Sequence, residues 1–212
     1  MDFHSAIDHS RLLHIQQVFE PLELFVDWET RNKFRILDDN KNQIGFAAEQ
    51  SKGFFGAIFR QFMGHWRSFE MAIFNENRKK IFLLKVPFRW FFRDVIIEDA
   101  NGKEIGRIEQ RFAIFRKKFD LIGPHGRPFA RVNSGFFRFW TFEVENRGRT
   151  IGAVKKKMSG VLTEIFSDRD NFVVEYKSTE LSSDERVIIL SLSFLVDLIY
   201  FEKKGSGSFF SN

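Results

Sequence analysis

Hydrophobic and polar residues alternate in short runs along most of this chain. Phe34 and Ile36 alternate with Lys33 and Arg35, and the stretch 140–145 shows the same period of two. Such alternation is typical of a β-strand that buries one face and exposes the other. The pattern therefore predicts a protein built largely from short strands.

A repeated unit joins these strands in pairs. An apolar run is followed by a turn rich in Asn, Asp and Gly, then by a basic residue and a second apolar run that often opens with Ile-Gly. Turns of this composition are typical of β-hairpins. The five turns with their second strands lie at 38–47, 75–84, 99–108, 123–132 and 145–154. A sixth predicted pair, "GVLTEIFSD" and "NFVVEYK", is joined at 167–171 and brings the total to about twelve strands.

The stretch "VIILSLSFLVDLIYFEKK" (187–204) differs from the rest because it is apolar on every side. Its uncharged part, 187–196, is ten residues long, whereas a membrane-spanning helix needs about 20. Ser182 and Glu185 have the spacing of a capping box, which marks the start of a helix. We therefore predict a helix at about 184–201 that is buried in protein, in preference to a membrane anchor.

A closed barrel would enclose this helix. Twelve antiparallel strands leave exposed edges unless the sheet closes on itself. A helix is about 10–12 Å across, and closed sheets with a central helix exist. The predicted fold is mostly β: a closed antiparallel barrel of about twelve strands around a buried hydrophobic C-terminal helix. It forms one domain at 12–204, with an N-terminal extension at 1–11 and a flexible tail at 205–212.

Composition narrows the function classes. The chain has no cysteine, 29 Phe against 2 Tyr, and a net charge of +5. Without cysteine it has no disulfide, thiolate metal site or cysteine nucleophile. Phe tolerates water less well than Tyr, so most of the Phe should face a core or lipid. The amino terminus lacks the apolar segment of a signal peptide, which predicts a cytoplasmic protein. No motif for nucleophilic, nucleotide or dinucleotide chemistry occurs, so the sequence does not predict an enzyme.

Basic and aromatic residues are interleaved in several segments, including "PFRWFFRD" (87–94) and "FRKKF" (115–119). Cations beside aromatic rings attract anionic head groups at a membrane surface. The same combination suits single-stranded nucleic acid, and it also fits ordinary barrel strands with solvated lysines. All three interpretations stay open at this point. The candidate lipid-binding residues are Arg89, Trp90, Arg93, Arg116, Lys117, Lys118, Lys155, Lys156 and Lys157.

Six motifs, in order along the chain, resemble the phospholipid scramblase family. They are "RQFMGHWRSFEM" (60–71), "VPFRW" (86–90), "EIGRIEQRF" (104–112), "FEVENRGRTIGAVKKKMSG" (142–160), "TEIFSDRDNF" (163–172) and "FLVDLIYFE" (194–202). The resemblance implies the tubby-like fold, which LURP-one-related proteins share. Met63 and Trp90 stand where family members often have cysteine, so the family's lipidation does not carry over.

The resemblance also implies a function. It implies binding of anionic phospholipid at the cytoplasmic face of a membrane, specifically the plasma membrane, and movement of phospholipid between leaflets. Because one fold hosts many functions, a soluble tubby-like adaptor that binds phosphoinositides or proteins without scrambling is the alternative. A nucleic-acid-binding protein is the second alternative.

Calcium is the cofactor that the resemblance implies, in the region 168–180. Asp168 and Asp170 supply oxygens at alternating positions, as a calcium-binding loop requires. Phe172 and Val173 do not fit such a loop, and Thr179 stands at the twelfth position, where a glutamate is expected. A polar hairpin turn is the favoured interpretation, and weak calcium binding by Asp168 and Asp170 is the alternative.

Asp197 is the acid that interrupts the apolar C-terminal stretch. A buried carboxylate without a partner is costly, so we expect an ion pair, hydrogen bonds near a barrel mouth, or a bound proton. Ser193 and Tyr200 lie on the same helix face and could contribute hydroxyl groups.

Overall fold

The computed structural model of this 212-residue chain describes residues 2–18, 32–50, 69–87, 94–112, 117–134, 140–156 and 171–198. Within these ranges the chain forms two helices, α1 (Phe3–His9) and α2 (Ser183–Val196), and twelve strands. The strands are β1 (Leu12–Gln17), β2 (Lys33–Leu37), β3 (Gln43–Glu49), β4 (Phe69–Asn75), β5 (Lys80–Val86), β6 (Val95–Asp99), β7 (Glu104–Arg111), β8 (Lys117–Ile122), β9 (Pro128–Ser134), β10 (Thr141–Asn146), β11 (Arg149–Lys156) and β12 (Phe172–Tyr176).

The strands form one closed antiparallel barrel in which each strand pairs with its neighbours in sequence. Closure comes from β1, which pairs with β2 on one side and with β12 on the other, where Leu13 lies opposite Val174. No strand of this sheet is left with an open edge, which removes the hazard of edge-to-edge association. The predicted fold class is confirmed.

One predicted strand pair is wrong. The sequence analysis joins β12 to the stretch 160–168, but both sides of β12 are occupied, by β11 and by β1. The twelfth strand is therefore β1, "LLHIQQ", which the repeat did not predict because no Asn/Gly turn follows it. The stretch 160–168 itself lies outside the described residues.

The hairpin turns explain the repeat. Four turns share one geometry, in which the fourth residue donates its N–H to the carbonyl of the first and has a positive φ. These fourth residues are Lys41, Arg78, Gly102 and Gly126. The fifth turn has two central residues, Arg147 and Gly148, at φ 47° and 79°, as a two-residue type I′ hairpin requires. All five turns lie at one end of the barrel, the hairpin end, because the even-numbered strands end there. We call the other end, where the odd-numbered strands end, the distal end.

Helix α2 fills the barrel. It begins with the predicted capping box, since the Ser182 hydroxyl accepts from the N–H of Glu185 and the Glu185 side chain accepts from the N–H of Ser182. Every residue from Arg186 to Val196 is buried. The helix starts at the hairpin end and runs to the distal end, where Asp197 is its C-cap residue. The predicted helix extends to 201, and residues 199–201 lie outside the described ones.

Helix α1 falls within residues 1–11, which the sequence assigns to an N-terminal extension. Phe3, Ala6 and Ile7 are buried and belong to the same core cluster as α2. The segment is too short for a clear helical period, so its two large apolar residues, Phe3 and Ile7, gave no signal of burial.

Glycines of the Ile-Gly units bring the helices close to the barrel wall. A Cβ on Gly106 would press against Ile188 of α2 and lie 2.5 Å from the carbonyl oxygen of Ile122. A Cβ on Gly45 would lie 3.0 Å from the ring of Phe3 in α1. The repeated glycine is thus a packing requirement of a barrel filled by helices.

Candidate functional site

The single acid of the apolar stretch is paired at the distal end. The Asp197 Oδ1 atom lies 3.1 Å from the Nζ atom of Lys156, the last residue of β11. The Lys156 ammonium also lies 4.3 Å from the centre of the Phe172 ring. Both charged side chains are 17% exposed, so water screens this pair less than a surface pair.

Burial dominates the electrostatics of Asp197. It raises the pKa of the carboxyl above its ordinary value, and the opposing attraction of Lys156 is the smaller effect. The ion pair expected for Asp197 is present. Its partner, Lys156, comes from strand β11 rather than from the helix. Ser193 is one of the two residues predicted to offer a hydroxyl group to Asp197. Its hydroxyl instead donates to the carbonyl of Leu190, at 2.7 Å. Tyr200 lies outside the described residues.

The lysine run at 155–157 does not form one cationic surface. The Lys155 Nζ atom lies 2.9 Å from Glu175 Oε2 on the neighbouring strand β12. Lys156 is the partner of Asp197. Two candidate lipid-binding lysines therefore have intramolecular partners, and Lys157 lies outside the described residues.

A second group of charges lies on β7, β8 and β9. Arg111 donates from Nε and Nη2 to Asp120 Oδ2, at 2.7 and 2.6 Å, and Arg131 lies 3.5 Å from the other carboxylate oxygen. The hydrogen bond that Arg111 donates to the Asp120 carboxylate raises the pKa of Arg111. Next to Arg111, the Phe112 side chain is 76% exposed. Lys118, a predicted lipid-binding residue, is exposed directly opposite Arg111.

The other predicted cations fall, in the sequence, between or at the ends of strands that meet at the distal end. Arg89 and Arg93 fall between the end of β5 and the start of β6, and Arg116 falls between β7 and β8. Lys117 opens β8. All of these strand ends lie at the distal end. Arg89, Trp90, Arg93 and Arg116 themselves lie outside the described residues.

Arg186 is an important residue that the sequence analysis missed. Although it is only 6% exposed, its hydrogen bonds within the described part of the chain go to carbonyl groups rather than to a carboxylate. Its Nη1 atom donates to the carbonyls of Ile7 and Ser10, at 3.1 and 2.9 Å. Its guanidinium carbon lies 4.7 Å from the centre of the Tyr176 ring. Arg186 thus ties α1 to α2 at the hairpin end. Its signal in the sequence was a cation between the helix cap and the apolar run that begins at Val187.

Tyr176 completes this contact. Its hydroxyl donates to the carbonyl of Arg186 at 2.9 Å. Burial is the largest influence on the ring and raises the pKa of Tyr176. The neutral phenol is therefore held inside the barrel as a hydrogen-bond donor.

Neither a metal centre nor a membrane-crossing helix is found in the part of the chain that the structure describes. No group of three or more His, Cys, Asp or Glu side chains there could hold an ion. The calcium candidates Asp168 and Asp170 lie outside it. Neither described helix combines the length and the hydropathy needed to cross a bilayer.

A twelve-stranded antiparallel barrel that encloses its own C-terminal helix is the class of protein that the six motifs imply. The chain belongs to the scramblase family, because the family model described as Scramblase matches residues 3–203.

The chain is also similar to individual proteins and to a solved structure. The chain is 26% identical to human phospholipid scramblase family member 5, covering 98% of this chain and 79% of that protein. It is 24% identical to human phospholipid scramblase 1, covering 97% of this chain and 67% of that protein. A phospholipid scramblase family protein of Schizosaccharomyces pombe is 22% identical over 92% of this chain, which spans 61% of that protein. An X-ray structure of an Arabidopsis thaliana protein has a TM-score of 0.45 at 14% identity, covering 89% of this chain and 91% of that one.

Proposed function

We propose that this protein binds anionic phospholipid at a membrane surface and assists the movement of phospholipid between leaflets. The observation that carries the proposal is the family match over residues 3–203, together with relatives whose names are phospholipid scramblases. The proposed location is the cytoplasmic face of a membrane, where anionic lipids give a negative surface potential.

The arrangement of cations supports lipid binding. The segments that contain Arg89, Arg93, Lys117 and Lys118 begin and end at the distal end of the barrel. Each basic residue near an anionic surface contributes about 1 kcal/mol of attraction. Four such residues would therefore give a binding energy that salt weakens strongly.

The buried helix limits how the protein could act on lipid. Since α2 fills the barrel, the lumen offers no path for a phospholipid while the helix stays there. Contact with lipid would then involve the outer surface of the barrel and its distal end. We therefore expect the protein to act on the bilayer from its surface.

Vesicle sedimentation tests the binding step. Arg89, Arg93, Lys117 and Lys118 would be replaced together by Gln, and binding to phosphatidylserine vesicles would be compared with the native protein at several salt concentrations. A matched control replaces four exposed cations of the hairpin end by Gln: Arg78, Lys79, Lys103 and Arg127. The first variant should bind more weakly and with a flatter salt dependence, whereas the control should bind almost as the native protein does. Equal losses in both variants would contradict a localised patch.

A lipid-flip assay tests the second step. Fluorescent phospholipid in reconstituted vesicles is reduced by dithionite in the outer leaflet, so the rate of further loss reports movement from the inner leaflet. We expect loss to be faster with the protein than without it, and the assay would be run with and without calcium. Binding without faster loss would favour the adaptor function, and binding to RNA in place of vesicles would favour the nucleic-acid function.

A further inference from the structure

The sequence segments that connect the strands at the two ends of the barrel differ in their aromatic residues. The five hairpin turns, at 38–42, 75–79, 99–103, 123–127 and 147–148, contain no Phe, Tyr or Trp. All four tryptophans of the chain fall in the sequence between strands that meet at the distal end: Trp28, Trp66, Trp90 and Trp140. Tryptophan prefers the boundary between water and acyl chains, because its ring is apolar and its N–H is polar.

Phe112 gives this difference a defined position. It directly follows β7, at the distal end, and its side chain is 76% exposed. Among the residues that the structure describes, Phe112 is the one large hydrophobic residue with an exposed side chain. Most of this aromatic surface is left in water by the fold, so a partner that covers it would gain apolar contact.

Two exposed cationic side chains lie beside Phe112. Arg111, which precedes it, is 53% exposed and pairs across the ladder with the exposed Lys118. Like charges directly opposite each other are destabilising in a sheet. Asp120 and Glu109, whose Oε2 atom lies 3.6 Å from Arg111, offset the charge of Arg111, but Arg131 shares the Asp120 carboxylate. The partner that fits is therefore both negatively charged and apolar beneath its charged layer.

We propose that the barrel docks end-on against an anionic phospholipid bilayer through its distal end, with Phe112 inserted at the acyl boundary and Arg111 and Lys118 among the head groups. This inference rests on the proposed function and deepens it, because it states which surface meets the membrane. It places the hairpin end, with α1 and the start of α2, away from the bilayer. The axis of the barrel then lies nearer to the membrane normal than to its plane.

Site-specific fluorescence tests the orientation. Because the chain has no cysteine, single variants Phe112→Cys and Asn77→Cys can be labelled with an environment-sensitive dye without other changes. Asn77 is exposed in a turn of the hairpin end. With phosphatidylserine–phosphatidylcholine vesicles, the dye at 112 should shift to shorter wavelength and be quenched by spin-labelled lipid, whereas the dye at 77 should not change.

The outcomes separate this inference from the function on which it rests. No sedimentation of native protein with these vesicles would refute the proposed function and end-on docking together. Sedimentation with a shift at 77, or with no shift at 112, would overturn end-on docking alone.

A second variant tests the insertion of Phe112 without a dye. Phe112→Ala should weaken vesicle binding roughly tenfold, as expected for loss of one inserted aromatic ring, with an unchanged melting temperature because the side chain is exposed. Unchanged vesicle binding would overturn the proposal. So would a dimer in sedimentation equilibrium that Phe112→Ala abolishes while vesicle binding persists, since it would assign Phe112 to a second copy of the chain.

Discussion

Gly106→Ala is the substitution whose effect the structure defines most sharply. The added Cβ would press against the Cδ1 atom of Ile188 in α2 and lie 2.5 Å from the carbonyl oxygen of Ile122. The carbonyl belongs to β8, which is held in the ladder beside β7, and Ile188 is fully buried. Neither neighbour can move away without disturbing the barrel.

The magnitude follows from these contacts. Overpacking a well-packed core costs typically about 1–3 kcal/mol. The reduced freedom of the unfolded chain returns roughly 0.4–1 kcal/mol when Ala replaces Gly at a compatible site. Because two neighbours are displaced, we expect a net loss near the upper end of this difference, about 1.5–2.5 kcal/mol in the free energy of unfolding, or roughly 3–10 °C in Tm for a chain of this size. Urea unfolding followed by circular dichroism measures it.

Two comparisons make the test specific. In Gly123→Ala the added Cβ would lie 3.9 Å from Phe129, an ordinary contact, so its stability should stay within about 0.5 kcal/mol of the native protein. Ile188→Val removes the Cδ1 atom that the Cβ added at position 106 would meet, so the double variant should lose less stability than the two single losses added together. Strict additivity, or a Gly106→Ala variant as stable as the native protein, would refute the packing of α2 against β7.

Three further predictions concern charged groups. The free energy of unfolding of the native protein should fall relative to that of Asp197→Asn as the pH rises from 3.8, the ordinary pKa of the carboxyl, through the raised pKa of folded Asp197. The reason is that the folded state binds the proton more tightly in that window. Parallel pH profiles of the two free energies of unfolding would contradict the burial of this carboxyl. Arg186→Met should lower the free energy of unfolding by about 2–4 kcal/mol, since it removes the donor to two buried carbonyls. It should also speed amide hydrogen exchange in α1. Unchanged exchange in α1 would disprove the link that Arg186 makes between the helices. Calorimetry should show weak calcium binding, with a Kd of about 1 mM or more. The double variant Asp168→Ala, Asp170→Ala should lose any rise in Tm that calcium causes. A rise retained by this variant would exclude these two residues as ligands.

Local signals in the sequence were enough for most of the architecture. The hairpin turns carry Gly at three of their six positive-φ positions, the others being Lys41, Arg78 and Arg147. They carry Asp or Asn where a side chain caps the turn: for example, the Asp99 carboxylate accepts from the N–H groups of Asn101 and Lys103. The capping box at Ser182 marked the start of α2. Each of these features involves residues that lie within five positions of one another, so it can be recognised from the local sequence.

Contacts between distant residues were not readable in the same way. Lys156 and Asp197 are 41 residues apart, and nothing local to either identifies the partner. The bonds from Arg186 to Ile7 and Ser10 span almost the whole chain. Strand β1 was missed for the same reason, because its place is defined by β12 at the other end of the sequence.

Thiol protection inside the barrel tests the central claim that α2 is the core of the protein and stays there at a membrane. Ser191 is completely buried in the middle of α2, and Ser191→Cys changes little in size and introduces the only thiol of the chain. Thr179→Cys, at an exposed residue before the helix, is the matched control. The rate of reaction with a maleimide would be measured in solution and with phosphatidylserine vesicles. We predict that the thiol at 179 reacts at the rate of a free thiol, while the thiol at 191 reacts at least about 1,000-fold more slowly in both conditions, as expected for a group exposed only by unfolding. Rapid reaction at 191, in solution or once vesicles are added, would show that the helix leaves the barrel and would contradict this account.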